Sequence, residues 1–198
     1  KMNRYKIDNI CNHLKKEEVI CMPTDTVWAL IALATSEKAT SNIYKLKHRH
    51  NNKPLALLVN NIAMAKNIIE LNQKAEKMLC YENMPITIIA KQKLNKNIAR
   101  AVNLKTQNIA LRIPKALELI NIITKLNTPL AATSANISGQ EFCKINAQKI
   151  FYNKVNFFAH EQQITEPSVI LDFTSMKAKI IRANNSQKEI LKDVFKLS

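Results

Sequence analysis

The chain has 198 residues, 46% of them apolar, with one glycine and a formal net charge of +15. This length and apolar share suit one well-buried core; no run of 18 apolar residues and no charged-then-apolar leader appears, which disfavours a membrane span and a signal peptide. The excess of Lys and Arg favours anionic ligands such as nucleotides, pyrophosphate or RNA, although scattered lysines raise the charge with no ligand at all.

Ile7, Ile10, Cys11 and Leu14 recur at helical spacing, which predicts a first helix over 5–16. Val19 to Met22 is a short apolar run ended by Pro23, as expected of a buried strand. The polar stretch Pro23-Thr24-Asp25-Thr26 separates it from a second apolar run, Val27 to Leu33. Ser36 suits the N-cap of a helix over 37–47, with Ala39, Ile43 and Leu46 on one face. Leu55 to Val59 reads as a strand and 62–81 as one or two helices. Ile86 to Ala90 and Ile109 to Ile113 read as strands joined by a Lys/Asn-rich surface loop. An amphipathic helix follows over 115–126, then a short strand, Leu130 to Ala132. Further strands fit 155–159, 168–172 and 178–182, with a last helix at 186–196. Alternating helices and strands predict an α/β class, one domain over 1–198 and a mixed or largely parallel twisted sheet. A ligand is then expected beyond strand ends, where the loops gather.

Gly139 is the only glycine, where an average chain of this length carries about fourteen. It closes the segment Thr133-Ser134-Ala135-Asn136-Ile137-Ser138-Gly139, which follows the strand directly. Glycine tolerates positive φ and close approach to a ligand, so this segment is the first candidate site. Three other groups join it: Pro23 to Leu30; Lys47, His48 and Arg49 with the following Lys53-Pro54-Leu55; and Leu111-Arg112-Ile113-Pro114. Hydroxyls and amides at strand ends bind phosphate or carboxylate oxygens, and nearby cations neutralise them. Arg112 lies in an apolar strand pattern, so it must face a cleft or be paired, because burying it alone is costly. Arg182, after Ile180 and Ile181, poses the same question. Taken singly, each group also fits a plainer role: a capping turn, a solvated helix end, an edge-strand arginine, a loop.

No histidine pair has metal-ligand spacing, and the carboxylates are scattered. Cys11, Cys21, Cys80 and Cys143 form no CxxC pair. The first three lie in apolar stretches and read as core residues of a cytoplasmic protein.

Together and in this order, the four groups resemble the YrdC/TsaC family, the threonylcarbamoyl-AMP synthases, over about 5–195. The family's Pro-Thr-Glu/Asp-Thr stretch is matched by Pro23 to Thr26, its Lys-x-Arg by Lys47 to Arg49, and its Arg-x-Pro by Arg112 to Pro114. Its Ser-Ala-Asn-x-Ser-Gly is matched by Ser134 to Gly139, its late Ser-Thr-Ile-x-Asp strand by Ser168 to Asp172, and its terminal Leu-Arg by Ile181-Arg182. Trp28 stands for the usual Tyr, Ala29 for Gly, His50 for Pro and Ala183-Asn184 for Pro-Gly; Asn184-Asn185 are expected to take the positive φ that glycine supplies. Asn83 to Thr87 stands for the family's Trp-Pro-Gly-Pro-hydrophobic-Thr.

The resemblance implies a single α/β domain with a basic concave cleft. It implies that L-threonine, bicarbonate or CO2, and ATP give threonylcarbamoyl-AMP and pyrophosphate, for transfer to tRNA by other proteins. It assigns Lys47 and Arg49 to the triphosphate or carboxylate groups and Arg112 to the threonine carboxylate. Thr24 and Thr26 would line the threonine end, Thr133, Ser134 and Asn136 the nucleotide, and Ser168 and Arg182 the opposite wall. Mg2+ would enter with ATP, without a dedicated protein site. A non-catalytic RNA- or tRNA-binding module on the same fold is the alternative expectation, and a carbamoyl-transfer domain of a larger hydrogenase-maturation protein a third.

Overall fold

The computed structural model describes residues 4–48, 53–94, 97–104, 106–137, 144–159 and 166–197. Helix α1 (Arg4–Lys15) buries Ile10, Cys11 and Leu14, three of the four residues at helical spacing. Strands β1 (Ile20–Pro23) and β2 (Trp28–Leu33) pair antiparallel, with Pro23 opposite Trp28, so the polar stretch between the two apolar runs becomes a hairpin turn. Helix α2 (Glu37–Lys47) begins where expected, because the Ser36 hydroxyl accepts from the Ala39 N–H at 3.0 Å. After the short strand β3 (Ala56–Leu58), the predicted helical stretch divides into α3 (Ile62–Ile68) and α4 (Gln73–Leu79). The break has two causes. Ile69 leaves the helix to form an antiparallel bridge with Gln92, and Asn72 caps α4 by accepting from the Ala75 N–H.

The remaining elements are β4 (Ile86–Lys91), α5 (Arg100–Asn103), β5 (Asn108–Arg112), α6 (Leu117–Leu126) and β6 (Leu130–Ser134). They continue with α7 (Lys144–Phe151), β7 (Asn156–Phe157), β8 (Val169–Asp172), β9 (Lys179–Arg182) and α8 (Asn185–Phe195). The described strands form one mixed sheet in the order β7-β1-β2-β6-β3-β5-β4-β8-β9. Five of its eight pairings are antiparallel, so the largely parallel alternative is not what forms. The tight β1–β2 and β8–β9 connections account for part of this, since only antiparallel neighbours can be joined so briefly.

Two apolar layers hold the sheet. On one face, Leu30, Leu57, Ile88, Leu111, Ala131 and Leu171 meet the other helices in the larger cluster. On the other, Ile31, Leu58, Leu130 and Ala132 pack beneath α1 and α6 through Leu14, Leu119 and Ile122. This second cluster stops at β3 and takes no residue from β4, β5, β8 or β9. The side chains that alternate with the core on those strands are therefore left under no such cover. Among them are the half-buried Ile89, Ala110 and Ile170, and the polar Thr87 and Arg112.

Two expectations are corrected here. Cys80 is exposed, because it follows the last residue of α4 and leaves the buried face, whereas Cys11 and Cys21 are core residues as read. Asn184 does not take positive φ; it sits at φ −80° as the N-cap of α8, in a capping box with Gln187.

A glycine-poor chain must still end its helices. His48, Leu104, Asn127 and Lys196 all terminate helices in the left-handed region, at φ between 47° and 53°. Glycine does this without a Cβ penalty, which for other residues is about 1–2 kcal/mol. Replacing Leu104 or Lys196 by glycine is expected to raise the unfolding free energy by about 0.5–1 kcal/mol in urea titrations, the gain being reduced by the freer unfolded chain.

Burial pushes the Cys21 thiol up to about 12, with Lys47 opposing the shift. In the folded state the thiol thus stays protonated from pH 9 to about 12, where an unfolded chain's thiol ionises, and this residue costs stability as pH rises through that window. At pH 8.5 iodoacetamide is expected to label Cys80 and to spare Cys21 until the chain unfolds, as read by peptide mass mapping.

Candidate active site

The β1–β2 turn is built from its own hydroxyls. Thr24 Oγ1 donates to the Val27 carbonyl at 2.7 Å and accepts from the N–H groups of Thr26 and Val27 at 3.1 and 3.2 Å. Thr26 Oγ1 lies 3.0 Å from Thr24 Oγ1, and the Thr24 N–H closes the turn on the Val27 carbonyl. A threonine in this position fastens a turn that backbone bonds alone would leave half made. The effect is to hold Asp25, between the two threonines, in a buried position.

Asp25 meets Arg112. Arg112 Nη1 donates to Asp25 Oδ2 at 2.7 Å, and each side chain keeps only 7% of its surface exposed. The pairing is unexpected from the strand register. Arg112 lies opposite Leu58, Leu58 opposite Leu130, and Leu130 opposite Leu33, the far end of β2 from the turn. Five residues of strand separate that row from Trp28, about 17 Å at 3.3 Å each. The two ends meet because neighbouring strands rotate by about 20–25°, so opposite corners of a wide sheet curl toward the same face. Arg112 is also an interior-strand residue, between β3 and β4, and not the edge-strand arginine of the plainer reading.

Around Arg112 the strand ends converge. Ser168, just before β8, has its Oγ 2.9 Å from Thr87 Oγ1. Arg182 donates from Nε and Nη2 to the Ser168 carbonyl at 3.0 and 2.7 Å. Loss of water around the guanidinium, and then the neighbouring charge of Arg112, push Arg182 below its ordinary value. Lys115 is likewise lowered, first by burial and then by Arg112, against the pull of Asp25 and Glu82. A cavity of about 390 Å³ opens beside the pair, lined by Asp25, Glu82, Met84, Lys115 and Gln187 among others.

On the other side of the turn stands the Thr133 to Gly139 segment, of which Ser138 and Gly139 lie outside the described residues. The turn and the segment are tied together, since Ala29 pairs with Ser134 and the Ala135 N–H donates to the Trp28 carbonyl at 2.8 Å. Thr133 pairs with Leu30 in the last part of β6. Ser134 Oγ donates to Asn136 Oδ1 at 2.6 Å. Lys47, the last residue of α2, reaches the same place: its Nζ donates to the carbonyl of Ser134, to that of Asn136 at 2.6 Å, and to Asn136 Oδ1 at 3.0 Å. It is only 1% exposed, so it is no solvated helix end.

The sequence-predicted residues thus fall into two groups joined by the turn: Lys47, Thr133, Ser134 and Asn136 on one side, and Arg112, Ser168 and Arg182 on the other, with Thr24 and Thr26 in the joint. Arg49 lies outside the described residues. Asp25, Thr87 and Lys115 were missed. For Asp25 a signal existed: Arg112 required a partner, and the motif holds one carboxylate between two apolar runs. Thr87 was visible as the one hydroxyl in the Ile86 to Ala90 run.

A family model named for Sua5, YciO and YrdC and described as telomere recombination matches residues 12–184. The chain belongs to the Sua5/YciO/YrdC family. Over 129 residues it is 31% identical to threonylcarbamoyl-AMP synthase of Mus musculus, covering 64% of this chain and 45% of that protein. It therefore spans less than half of that relative. Its fold matches that of P. abyssi Sua5 complexed with L-threonine at a TM-score of 0.83 and 23% identity, over 92% of this chain and 55% of that one. E. coli YciO matches at 0.78 and 19% identity, over 92% and 90% of the two chains.

Removing one partner of a buried ion pair strands the other charge. Asp25→Ala is expected to lower the unfolding free energy by about 3–5 kcal/mol, whereas the double variant Asp25→Leu with Arg112→Met recovers most of it. Urea unfolding of the three proteins reads this directly; equal stability of Asp25→Ala and wild type would remove the pair from the fold's support.

Proposed function

We propose that the chain is a nucleotidyltransferase that makes threonylcarbamoyl-AMP and pyrophosphate from L-threonine, bicarbonate or CO2, and ATP. The observation that carries this reading is the state of Arg112. Among the described residues its side chain has one hydrogen-bond partner, the Asp25 carboxylate on Nη1. A guanidinium has five N–H donors in a planar fork, so a second carboxylate fits on the remaining edge. Arg182 and Ser168 stand beside it, and an anion between the two guanidiniums would relieve the desolvation of Arg182 and its repulsion by Arg112, which lower its pKa in that order. Family membership supplies the identity of that anion, the threonine carboxylate.

The reaction brings two anions together. A carboxylate formed on the threonine amine attacks the α-phosphorus of ATP; a carboxylate oxygen–phosphorus bond forms, the α–β phosphoanhydride bond breaks, and pyrophosphate leaves. Such a step needs positioning and charge neutralisation more than proton transfer. Arg112 and Arg182 supply charge over the part of the sheet that the second apolar cluster leaves uncovered; Arg49, of the family's Lys-x-Arg stretch, is proposed to add to it in a basic cleft. Ser134 and Asn136, with Thr133 near, take the nucleotide, while Thr24 and Thr26 set the turn at the threonine end. Mg2+ would enter with the ATP substrate, carried by phosphate and water. The product is labile and suits transfer to tRNA by a separate protein. No helix of the described residues is long and apolar enough to cross a membrane.

Pyrophosphate release is expected only when ATP, L-threonine and bicarbonate are all present. Arg112→Lys keeps a cation beside Asp25 but loses the fork. It is expected to raise the KM for threonine by about tenfold or more, roughly the 1.4 kcal/mol of one good polar contact. Threonine-independent turnover, or no turnover from a protein that still binds RNA, would overturn the proposal.

A further inference from the structure

We propose that Lys47 is a positioning residue: its ammonium holds the Ser134 to Asn136 segment and sets which atoms of that segment face a nucleotide, instead of gripping phosphate itself. The inference rests on the proposed function for the identity of the ligand and on the geometry for the rest.

Among the described residues, Lys47 is one of the largest fully buried side chains. A lone cation there would be very costly. Oxygens of a single segment meet at least part of that cost: the Ser134 carbonyl, the Asn136 carbonyl at 2.6 Å and Asn136 Oδ1 at 3.0 Å. An ammonium has three N–H donors and no lone pair. These acceptors alone are as many as its donors. A phosphate oxygen that took one of these N–H groups would do so at the expense of a carbonyl or amide oxygen that is now satisfied.

The same donor-only chemistry orients the amide. Because Lys47 cannot accept, the oxygen of the Asn136 carboxamide must face it, and the NH2 must point away. Asn136 Oδ1 also lies 2.6 Å from Ser134 Oγ, so the hydroxyl is the donor in that contact and its lone pairs are turned elsewhere. One buried charge thus fixes the polarity of two side chains assigned to the nucleotide. It also gathers two backbone carbonyls, at Ser134 and Asn136, where the chain leaves the β6 ladder.

Lys47→Met keeps the length and burial of the side chain and removes the charge. The test compares the binding of adenosine, AMP and ATP to wild type and to this variant by calorimetry. It adds hydrogen exchange at the Ala135 and Asn136 amides in the ligand-free proteins, with thermal melting to confirm that the variant is folded. The expected result is an equal loss for all three ligands, about 10- to 100-fold, the range of a charge-assisted hydrogen bond, with faster exchange at Ala135 and Asn136. A loss that grows from adenosine to ATP, with exchange unchanged, would overturn the inference and make Lys47 a phosphate ligand. If wild type binds none of the three, it is the proposed function that falls. Exchange then decides Lys47 alone, and unchanged protection in Lys47→Met counts against it. Should Lys47→Met not fold, 15N spectra of the wild type serve instead: a slowly exchanging Lys47 ammonium signal at neutral pH supports the clamp, and its absence overturns it.

Discussion

The Asp25–Arg112 ion pair joins parts of the sheet that the strand register holds apart. Its existence requires the sheet to coil, and once made it fastens the coil in place. Without it the β1–β2 turn would lie at one corner and the Arg112 row at the opposite end of the ladder. Everything assigned to the site hangs from this joint. Ser168, Thr87 and Arg182 crowd around Arg112 on one side, and the Ser134 to Asn136 segment is tied through Trp28 to the turn on the other. A buried pair of this kind adds little net stability compared with apolar residues of similar size, since desolvation offsets most of the attraction. What it contributes is geometry: a guanidinium held at a fixed place with its other edge available.

The fold buries a second cation, and it solves that problem differently. Arg112 is matched by a full negative charge, and Lys47 meets at least three neutral oxygens of one short segment. The difference suits the two side chains. A planar fork can share its donors between a protein carboxylate and a ligand. A compact ammonium whose three donors already face at least three acceptors has little to share. The two cations thus differ in what they can offer a substrate.

Much of this was legible in the chain and some was not. Helix and strand positions followed from apolar spacing, because α1, α2 and β4 each bury one clear face or run. The four motifs were legible as polar interruptions at strand ends. The need of Arg112 for a partner was legible too, and Asp25 was a candidate by its place in the motif, but their meeting was not. Asp25 and Arg112 are 87 residues apart, and only the accumulated twist of the intervening strands brings them together. The fate of Lys47 was hidden for a related reason: whether a helix-end lysine is solvated or buried depends on where β6 ends relative to α2, which no local pattern encodes. The split between α3 and α4 turned on a bridge to Gln92 from a distant segment.

The lone glycine also takes on a different meaning. The family places glycine where Ala29 stands, yet Ala29 is an ordinary strand residue paired with Ser134 and is not among the described residues of positive φ. What glycine would supply there is the lack of a methyl, and the second apolar layer has absorbed that methyl beside Met22, Ile31 and Ala132. The steric cost of a glycine-poor chain instead falls on the helix ends, where His48, Leu104, Asn127 and Lys196 take left-handed backbone. Of these four, His48 directly follows Lys47. A helix end strained by its own terminator is held there by the three bonds of the preceding lysine. The clamp proposed for the Ser134 to Asn136 segment therefore works in both directions, anchoring the end of α2 as well.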